Sequence, residues 1–190
     1  MDTQGKLLIA PPKLPDWRFQ KSVIYMWKHD LGGASGVIIN KKCNHPSFEH
    51  ICSEGSLLRK NNINPTIWYG GPILTNVIGM LHSLDFQLSS TNVVKKSLGF
   101  TLDRKMLEVI AQGGGPKKYM ITMGLANWIP GQLEDEFDAH PPRSPANCWL
   151  TLNSSPDLVF GPKPVDFWEQ CVSRAVEDRT KALTDKIFKN

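Results

Sequence analysis

Four side chains of the kinds that bind zinc lie between residues 43 and 52. They are Cys43, His45, His50 and Cys52. Zinc sites usually join two thiolates through a C-x2-4-C spacing, and the C-x-H and H-x-C spacings here differ from it. Phe48, Ile51 and Cys52 also fit the buried face of a helix that Ser47 could cap. We therefore predict a packed helix here and no bound metal.

An acidic stretch is the second candidate for metal chemistry. Its members are Glu134, Asp135, Glu136 and Asp138, with His140 close behind. Glu134 and Asp138 would lie one helical turn apart, a spacing that suits a hard cation such as magnesium. Acidic side chains are also favoured in the first turn of any helix, because the helix dipole stabilises them there. We favour the second explanation and expect no cofactor.

The sequence contains no recognisable catalytic set. Ser35 lies in a G-A-S-G segment, which lacks the second glycine of the G-x-S-x-G nucleophile elbow. The G-G-G-P-K-K segment 113–118 follows a predicted helix and precedes a predicted strand, the reverse of the order in a phosphate-binding loop. His82 ends an apolar strand, where a histidine is either buried and neutral or available as a general base. We therefore assign no catalytic residue.

Composition and charge are those of an ordinary globular protein. The chain has 190 residues, of which 41% are hydrophobic and 21% charged, with a formal net charge of +4. Basic residues occur in pairs at Lys41-Lys42, Arg59-Lys60, Lys95-Lys96, Arg104-Lys105 and Lys117-Lys118. If the fold gathered these pairs on one face, they could bind nucleic-acid phosphates. We favour the alternative that the pairs are dispersed over the surface and are solvated.

The chain carries no sign of export or membrane insertion. No stretch approaches the ~18–20 apolar residues of a membrane span, and residues 1–5 lack the basic start and apolar run of a signal peptide. We expect a cytoplasmic protein with no membrane association. Its four cysteines, Cys43, Cys52, Cys148 and Cys171, are too few for a disulfide scaffold and are expected to be free thiols.

Short apolar and β-branched runs predict most of the secondary structure. Predicted strands cover residues 6–10, 22–27, 35–39, 66–69, 77–84, 93–94, 119–123 and 149–152, and predicted helices cover 47–58, 102–111 and 132–137. A helix over 164–189, after Pro164, follows a 3.6-residue apolar period as a lid or an interaction arm. Helices and strands do not alternate regularly, so we predict an α+β fold with a mainly antiparallel, barrel-like sheet and flanking helices. We expect residues 1–190 to form one domain.

Several stretches, taken in order, resemble one family, AlgH/YqgE. They are G-K-L-L-I-A-P at 5–11, S-V-I at 22–24, G-V-I-I-N at 36–40, Y-G-G-P at 69–72, L-H at 81–82, G-P at 115–116, G-L-A-N-W at 124–128, G-Q-L-E-x-E at 131–136 and W-L at 149–150. Each match alone is short, but their order is specific. Together they span residues 5 to about 160.

The resemblance implies an AlgH-like α+β fold in a cytoplasmic protein of a bacterium or bacteriophage. It brings no established catalytic residues. The family is often labelled a regulator of transcription, although this sequence contains no helix-turn-helix signature. Two features depart from the family pattern. The loop 138–147 is longer than usual, and Asn127 and Ile129 replace small residues beside Trp128.

Glycine turns and polar residues at element ends predict a ligand site. Glycines at turns let the backbone approach a ligand, a helix start presents free N–H groups, and a tryptophan supplies an aromatic wall. The predicted ligand-binding residues are Asn40, Gly70, Gly71, Pro72, His82, Gly124, Trp128, Gly131, Gln132 and Glu134. The alternative is that the glycines and the tryptophan serve only turns and packing.

The function that these observations favour is non-enzymatic binding or regulation of the AlgH type, through a protein partner or a small ligand. One alternative is an enzyme of undefined class with a pocket around His82 and Glu134, joined by Asn40. The other is a nucleic-acid-binding protein that uses the dispersed Lys/Arg pairs. We expect a monomer or a weak dimer.

Overall fold

Strands and helices follow one another without regular alternation in the computed structural model, which describes residues 2–60, 62–138 and 148–188. The strands are β1 (Lys6–Ile9), β2 (Val23–Asp30), β3 (Gly33–Ile38), β4 (Ile67–Tyr69), β5 (Ile73–His82), β6 (Asn92–Val94), β7 (Leu98–Thr101), β8 (Tyr119–Trp128) and β9 (Leu150–Asn153). The helices are α1 (Phe48–Glu54), α2 (Arg104–Ala111), α3 (Gln132–Phe137), α4 (Pro156–Phe160) and α5 (Phe167–Phe188). A 3-10 turn, Trp17–Phe19, precedes β2.

One curled sheet contains all of these strands. Its order is β6-β7-β5-β8-β3-β2-β1-β9, and every neighbouring pair along this path is antiparallel. Strand β4 lies outside the path and pairs in parallel with β8. The result is a half-barrel with helices around it, which confirms the predicted α+β fold with a mainly antiparallel, barrel-like sheet and flanking helices.

Both faces of the sheet are covered, as β1 shows. Successive side chains of a strand point to opposite faces. Leu7 and Ile9 enter the hydrophobic cluster inside the half-barrel, whereas Leu8 enters a second cluster with Phe19 and Leu133, under the 3-10 turn and α3. Because both faces are buried, the strands read as continuous apolar runs rather than alternating ones.

The central strand β8 bends at Gly124, whose φ is +78°. Before the bend, β8 pairs with β4, and after it the same edge pairs with β3 at Ala126. Strand β5 lies along the opposite edge. A positive φ is rare for residues with a side chain, so this position requires glycine. The bend allows one strand edge to serve two partners.

Helices α1 and α2 form around local signals that the sequence contains. The Ser47 hydroxyl accepts a hydrogen bond from the His50 N–H at 3.2 Å, and the Asp103 carboxylate accepts one from the Lys105 N–H at 2.9 Å. These are N-caps, which satisfy donors left free at a helix start. Phe48 of α1 joins a third cluster that α2 also enters. None of the helices in the described ranges is long and apolar enough to span a bilayer.

Helix α5 covers the half-barrel with its first half only. Trp168, Cys171 and Ala175 are buried, and Trp168 Nε1 donates a hydrogen bond to the Ala10 carbonyl at 2.9 Å. Residues 176–185 are all exposed. The first half therefore acts as the lid of the sheet, while the second half is exposed to solvent and only borders a surface cavity beside β9 through Asp178, Arg179 and Ala182. The helix begins at Phe167 rather than at Pro164, where the sequence suggests a start.

Several element bounds differ from the predicted ones. Strand β5 begins at Ile73 rather than at residue 77, β8 continues to Trp128 rather than ending at residue 123, and β7 and α4 were not predicted. Strand β7 is short and carries Gly99, and glycine ordinarily counts against a strand. Here a Cβ on Gly99 would lie 2.5 Å from His82 Cε1, so the glycine makes room for the neighbouring imidazole.

Candidate functional site

A surface cavity of about 530 Å³ lies between the 3-10 turn, the end of β8 and α3. It is lined by Leu14, Pro15, Asp16, Arg18, Phe19, Ile73, Asn127, Trp128, Gln132, Glu136 and Trp149. We call it the aromatic pocket. Its volume lies in the range of small-ligand sites, roughly 300–1,000 Å³. The lining residues are widely separated along the chain, so the fold assembles the pocket.

The loop before β2 holds one wall of the aromatic pocket. The Asp16 carboxylate caps the 3-10 turn by accepting a hydrogen bond from the Arg18 N–H at 3.0 Å. It also accepts hydrogen bonds from Arg18 Nε at 2.9 Å and Arg18 Nη2 at 2.7 Å. The side-chain hydrogen bond from Arg18 lowers the pKa of Asp16, while partial burial opposes the shift. This clamp fixes the turn that presents Phe19.

Three aromatic rings meet in the pocket. Phe19 and Trp128 are stacked with ring centroids 6.3 Å apart, and Trp149 meets each of them edge-on with centroids 5.9 Å apart. Edge-to-face pairs are favourable because the positive ring edge meets the negative face. Trp128 and Trp149 are only 6% and 4% exposed. The rings are therefore well fixed before any ligand arrives.

The Glu136 carboxylate joins these elements. Its Oε2 accepts hydrogen bonds from Trp128 Nε1 at 2.9 Å and from Trp149 Nε1 at 2.7 Å, and its Oε1 accepts one from Gln132 Nε2 at 3.0 Å. The Gln132 Oε1 in turn accepts the Ile129 N–H at 3.1 Å. One side chain of α3 thus orients both indoles, while Gln132 ties the helix start to β8.

Some of the predicted site residues do come together. Trp128 and Gln132 line the aromatic pocket, and Gly131, with φ +80°, begins the helix that carries Gln132. Gly70, Gly71 and Gly124 meet nearby, where β4 ends beside β8 and Pro72 leads to Ile73. A Cβ on Gly71 would lie 2.2 Å from the Leu125 carbonyl oxygen. These glycines serve close backbone packing, the alternative that the sequence left open.

Glu134 contacts His29 and not His82, the histidine of the predicted enzyme pocket. Its Oε1 lies 2.6 Å from Nε2 of His29, a side chain that is 4% exposed. The Thr3 N–H donates to His29 Nδ1 at 3.1 Å, so Nδ1 is the acceptor and Nε2–H donates to Glu134. Burial raises the pKa of Glu134. The backbone hydrogen bond and the His29 contact lower it by more, so the net pKa lies below the usual value.

The Thr3, His29 and Glu134 side chains form a hydroxyl–imidazole–carboxylate chain, with Thr3 Oγ1 2.8 Å from His29 Nδ1. Nucleophilic catalysis requires the hydroxyl to reach a substrate. Thr3 is fully buried. We therefore interpret this chain as a clamp that joins the N-terminal segment, β2 and α3.

Two predicted site residues, Asn40 and His82, do not line the aromatic pocket. His82 pairs with Tyr119 at the start of β8, whereas Trp128 ends that strand, roughly 25–30 Å farther along. The Asn40 side chain accepts from the Val23 N–H and donates to the Lys21 carbonyl, both at 2.8 Å, and so joins two chain segments. The convergence of Asn40, His82 and Glu134 that the enzyme alternative requires does not occur.

His82 is a buried, neutral histidine. Its Nδ1–H donates to the Ser83 carbonyl at 2.9 Å, and its Nε2 is buried with no hydrogen-bond partner among the described residues. Burial lowers the pKa of His82, and the contacts with Ser83 and Asp85 only partly oppose this. The side chain packs on Gly99 inside the sheet, so it supplies neither a general base nor a pocket wall.

We expect His82 to make the protein less stable in mild acid. The unfolded histidine takes up a proton as the pH falls below about 6.5, while the folded one resists it because its pKa is lowered. Stability from this residue is complete above that pH and falls, as the pH drops, by up to about 1.4 kcal/mol per unit. Urea unfolding between pH 7 and 5 measures how steeply the free energy of unfolding depends on pH.

The His82→Phe variant should reduce this pH dependence, whereas the control His45→Gln, at an exposed position, should not. Equal slopes for wild type and His82→Phe would contradict this assignment.

Metal ligands do not assemble in the described ranges. Within residues 2–60, 62–138 and 148–188, no group of three or more His, Cys, Asp or Glu side chains is placed to hold a metal ion. Cys52 is buried in the third cluster, and His50 Nε2 instead meets Glu54 at 3.3 Å. His140 of the acidic stretch and the long loop over 139–147 lie outside the described residues.

Acidic neighbours accompany most of the dibasic pairs. Ion pairs join Lys95 to Asp2, Arg59 to Glu49, Arg104 to Glu108 and Lys118 to Asp157. Such contacts balance charge locally and weaken the field that would attract phosphates. The structure therefore gives nucleic-acid binding no added support.

Sequence reasoning missed several pocket residues. No sequence pattern groups Arg18, Phe19 and Trp149 with Trp128, because each of them lies far along the chain from it. One signal was present: the segment 11–19, P-P-K-L-P-D-W-R-F, is rich in proline and aromatic residues, as loops at binding surfaces often are. Glu136 was placed in the acidic stretch, but no local pattern indicates that its partners are two indoles.

The chain is similar to one protein family over most of its length. The sequence profile described as AlgH-like matches residues 7–179. A UPF0301 protein of Methylococcus capsulatus is 32% identical over 174 residues, which cover 92% of this chain and 92% of that protein. A UPF0301 protein of Ralstonia pickettii is 34% identical over 164 residues, which cover 84% of this chain and 81% of the relative.

Two solved structures resemble this one. The solution structure of AlgH from Pseudomonas aeruginosa has a TM-score of 0.72 at 28% identity and covers 92% of this chain and 90% of its own. The crystal structure of a protein from Corynebacterium diphtheriae has a TM-score of 0.67 at 17% identity, with 92% and 87% covered. The second likeness concerns the fold alone.

Proposed function

The chain belongs to the AlgH-like family, and we propose that it works as a non-enzymatic binding protein of the regulatory type, with the aromatic pocket as its ligand site. The observation that carries this proposal is the set of three rings held around Glu136. Pockets with aromatic walls and a few convergent polar groups are the usual form of a ligand site. The regulatory part of the proposal comes from what the resemblance to the AlgH/YqgE family implies.

The polar groups of the aromatic pocket suit binding rather than catalysis. Asp16 is occupied by Arg18, and Gln132 by Glu136 and the Ile129 N–H. Groups fixed by such bonds orient a ligand, whereas a nucleophile would need a neighbouring base. The lining residues that the structure describes include no histidine, cysteine or lysine.

Exposed apolar side chains beside the pocket support contact with a protein partner. Trp17 is 76% exposed next to Arg18, and Ile129 is 72% exposed next to Trp128. Exposed apolar side chains that gather in a patch are typical of interaction surfaces. A ligand bound in the neighbouring pocket would change the surface that a partner meets. We propose that any effect on transcription runs through such a partner rather than through direct contact with DNA.

A fragment screen followed by two-dimensional ¹H–¹⁵N NMR tests the ligand site. Ligands that bind should shift the indole N–H signals of Trp128 and Trp149 and the amide of Gln132. The Phe19→Ala variant should weaken their affinity about tenfold or more, since it removes one wall. Phe86→Ala, a half-buried phenylalanine outside the pocket, is the matched control. Ligands that bind equally to wild type and Phe19→Ala would refute the proposal.

A further inference from the structure

The Glu136 carboxylate carries a negative charge that the described part of the chain does not pair with a cation. It accepts three hydrogen bonds, and all of the donors are neutral: two indoles and one amide. None of the ion pairs within residues 2–60, 62–138 and 148–188 includes Glu136. Neutral donors stabilise a carboxylate without cancelling its charge. No cation of the described ranges therefore offsets this charge, and a positive ligand could do so.

The other described lining residues of the aromatic pocket do not offset this charge. Arg18, the basic lining residue, is engaged by the Asp16 carboxylate through bonds of 2.7 and 2.9 Å. The two charges of that pair cancel, so the described lining residues together have a formal charge of −1 from Glu136. An electrically negative, partly desolvated pocket favours cations, because charge interactions strengthen where water is excluded.

The aromatic rings favour the same class of ligand. A cation within about 6 Å of a ring centroid is attracted by the negative face of the ring, most strongly by tryptophan. Two of the three rings here are tryptophans, and all three line one cavity. Both indole N–H groups donate to Glu136, so the small part of each indole that reaches the cavity is ring surface rather than an N–H donor. Asn127 and Arg18 still offer hydrogen-bond donors in the lining, so the preference for a cation comes from the Glu136 charge and from the rings.

We infer that the aromatic pocket binds an organic cation with an apolar surface, namely a methylated ammonium group. This inference rests on the proposed function, because it names the ligand class of the same pocket. The Glu136 carboxylate supplies the charge and Phe19, Trp128 and Trp149 supply the ring surfaces. Methyl groups contact the rings while the positive charge stays near the carboxylate. A free metabolite or a methylated lysine side chain of a protein would present this group.

Choline and its neutral carbon analogue 3,3-dimethylbutan-1-ol give a matched test. The two molecules have the same shape and differ in charge. In NMR titrations that follow the Trp128 and Trp149 indole signals, choline should bind about tenfold more tightly than the alcohol. Acetylated trimethyl-lysine amide forms a second arm. Tighter binding of this compound than of choline assigns the source to a protein side chain, and the reverse assigns it to a free metabolite.

Two variants separate the local charge from the net charge. Glu136→Gln keeps an oxygen acceptor for the indoles, and it should reduce the choline affinity about tenfold while changing that of the alcohol less than about twofold. Asp135→Asn removes a negative charge from an exposed neighbour on the same helix, and it should leave both affinities unchanged. An unfolding curve of each variant confirms that it is folded.

Each remaining outcome has one meaning. Equal affinities for choline and the alcohol would overturn the cation inference and leave the pocket as a binding site. Ligands from the fragment screen that occupy the pocket while choline does not would do the same. Absence of binding by every compound would overturn both the inference and the proposed function.

Discussion

Gly124→Ala is expected to lower the free energy of unfolding by more than about 3 kcal/mol. A Cβ on Gly124 would lie 2.2 Å from the Gly71 carbonyl oxygen, and the atom it meets is backbone, which cannot rotate aside. The residue also has φ +78°, a conformation that costs a residue with a side chain about 1–2 kcal/mol. Both effects act at the bend where β8 exchanges one partner strand for another. Urea unfolding measures the loss.

Gly131→Ala is the matched control for Gly124→Ala. Its φ of +80° is nearly the same, yet a Cβ at Gly131 would meet nothing within 4 Å. The control should therefore lose only the conformational part, about 1–2 kcal/mol. The difference between the two variants isolates the close backbone approach. Equal losses would mean that β8 and the Gly70–Gly71 segment can move apart without cost, contrary to the packing described above.

Glu136→Leu is expected to destabilise the protein by about 2–4 kcal/mol. It removes the acceptor shared by Trp128 Nε1 and Trp149 Nε1, and both indoles are almost fully buried. A buried donor without a partner loses about 1–3 kcal/mol, and here there are two. Glu136→Gln retains an oxygen for both indoles and should lose only about 1 kcal/mol, chiefly at Gln132.

Chemical unfolding with tryptophan fluorescence measures both Glu136 variants, since the emission reports on the two indoles directly. The near-ultraviolet circular dichroism of Glu136→Leu should also weaken, because the rings lose their fixed orientation. If the leucine and glutamine variants are equally stable, water satisfies the indoles and Glu136 does not hold the pocket together. That result would also remove Glu136 from the description of a preorganised site.

The sheet could be predicted in outline because its strands are local features of the sequence. Apolar runs such as 22–27 mark strands whatever their partners are. Strand β7 was not predicted because it depends on a tertiary contact. Gly99 suits the strand only because His82 packs against it. The parallel pairing of β4 likewise depends on the bend at Gly124, which no local pattern reveals.

The pocket could be predicted only where its residues are close in sequence. Trp128 and Gln132 were found together because both lie in one glycine-marked stretch that resembles the family. Phe19 and Trp149 approach them only through long-range pairing of β1, β2, β3 and β9, so spacing carries no information about their contact. His82 looked like a site residue because histidine chemistry is versatile, and only burial shows that it is structural.

The second half of α5 is helical because the first half nucleates the helix. Starting a helix is unfavourable by a factor of roughly a thousand, whereas adding one residue to an existing turn is nearly neutral. The turns anchored by Trp168 and Ala175 supply the nucleus, and residues 176–185 extend it into solvent. Amide hydrogens should therefore exchange slowly up to Ala175 and progressively faster beyond it. The packing of Trp168 therefore stabilises the helical conformation of residues 176–185, and a substitution that removes this packing would unwind them although Trp168 does not contact them.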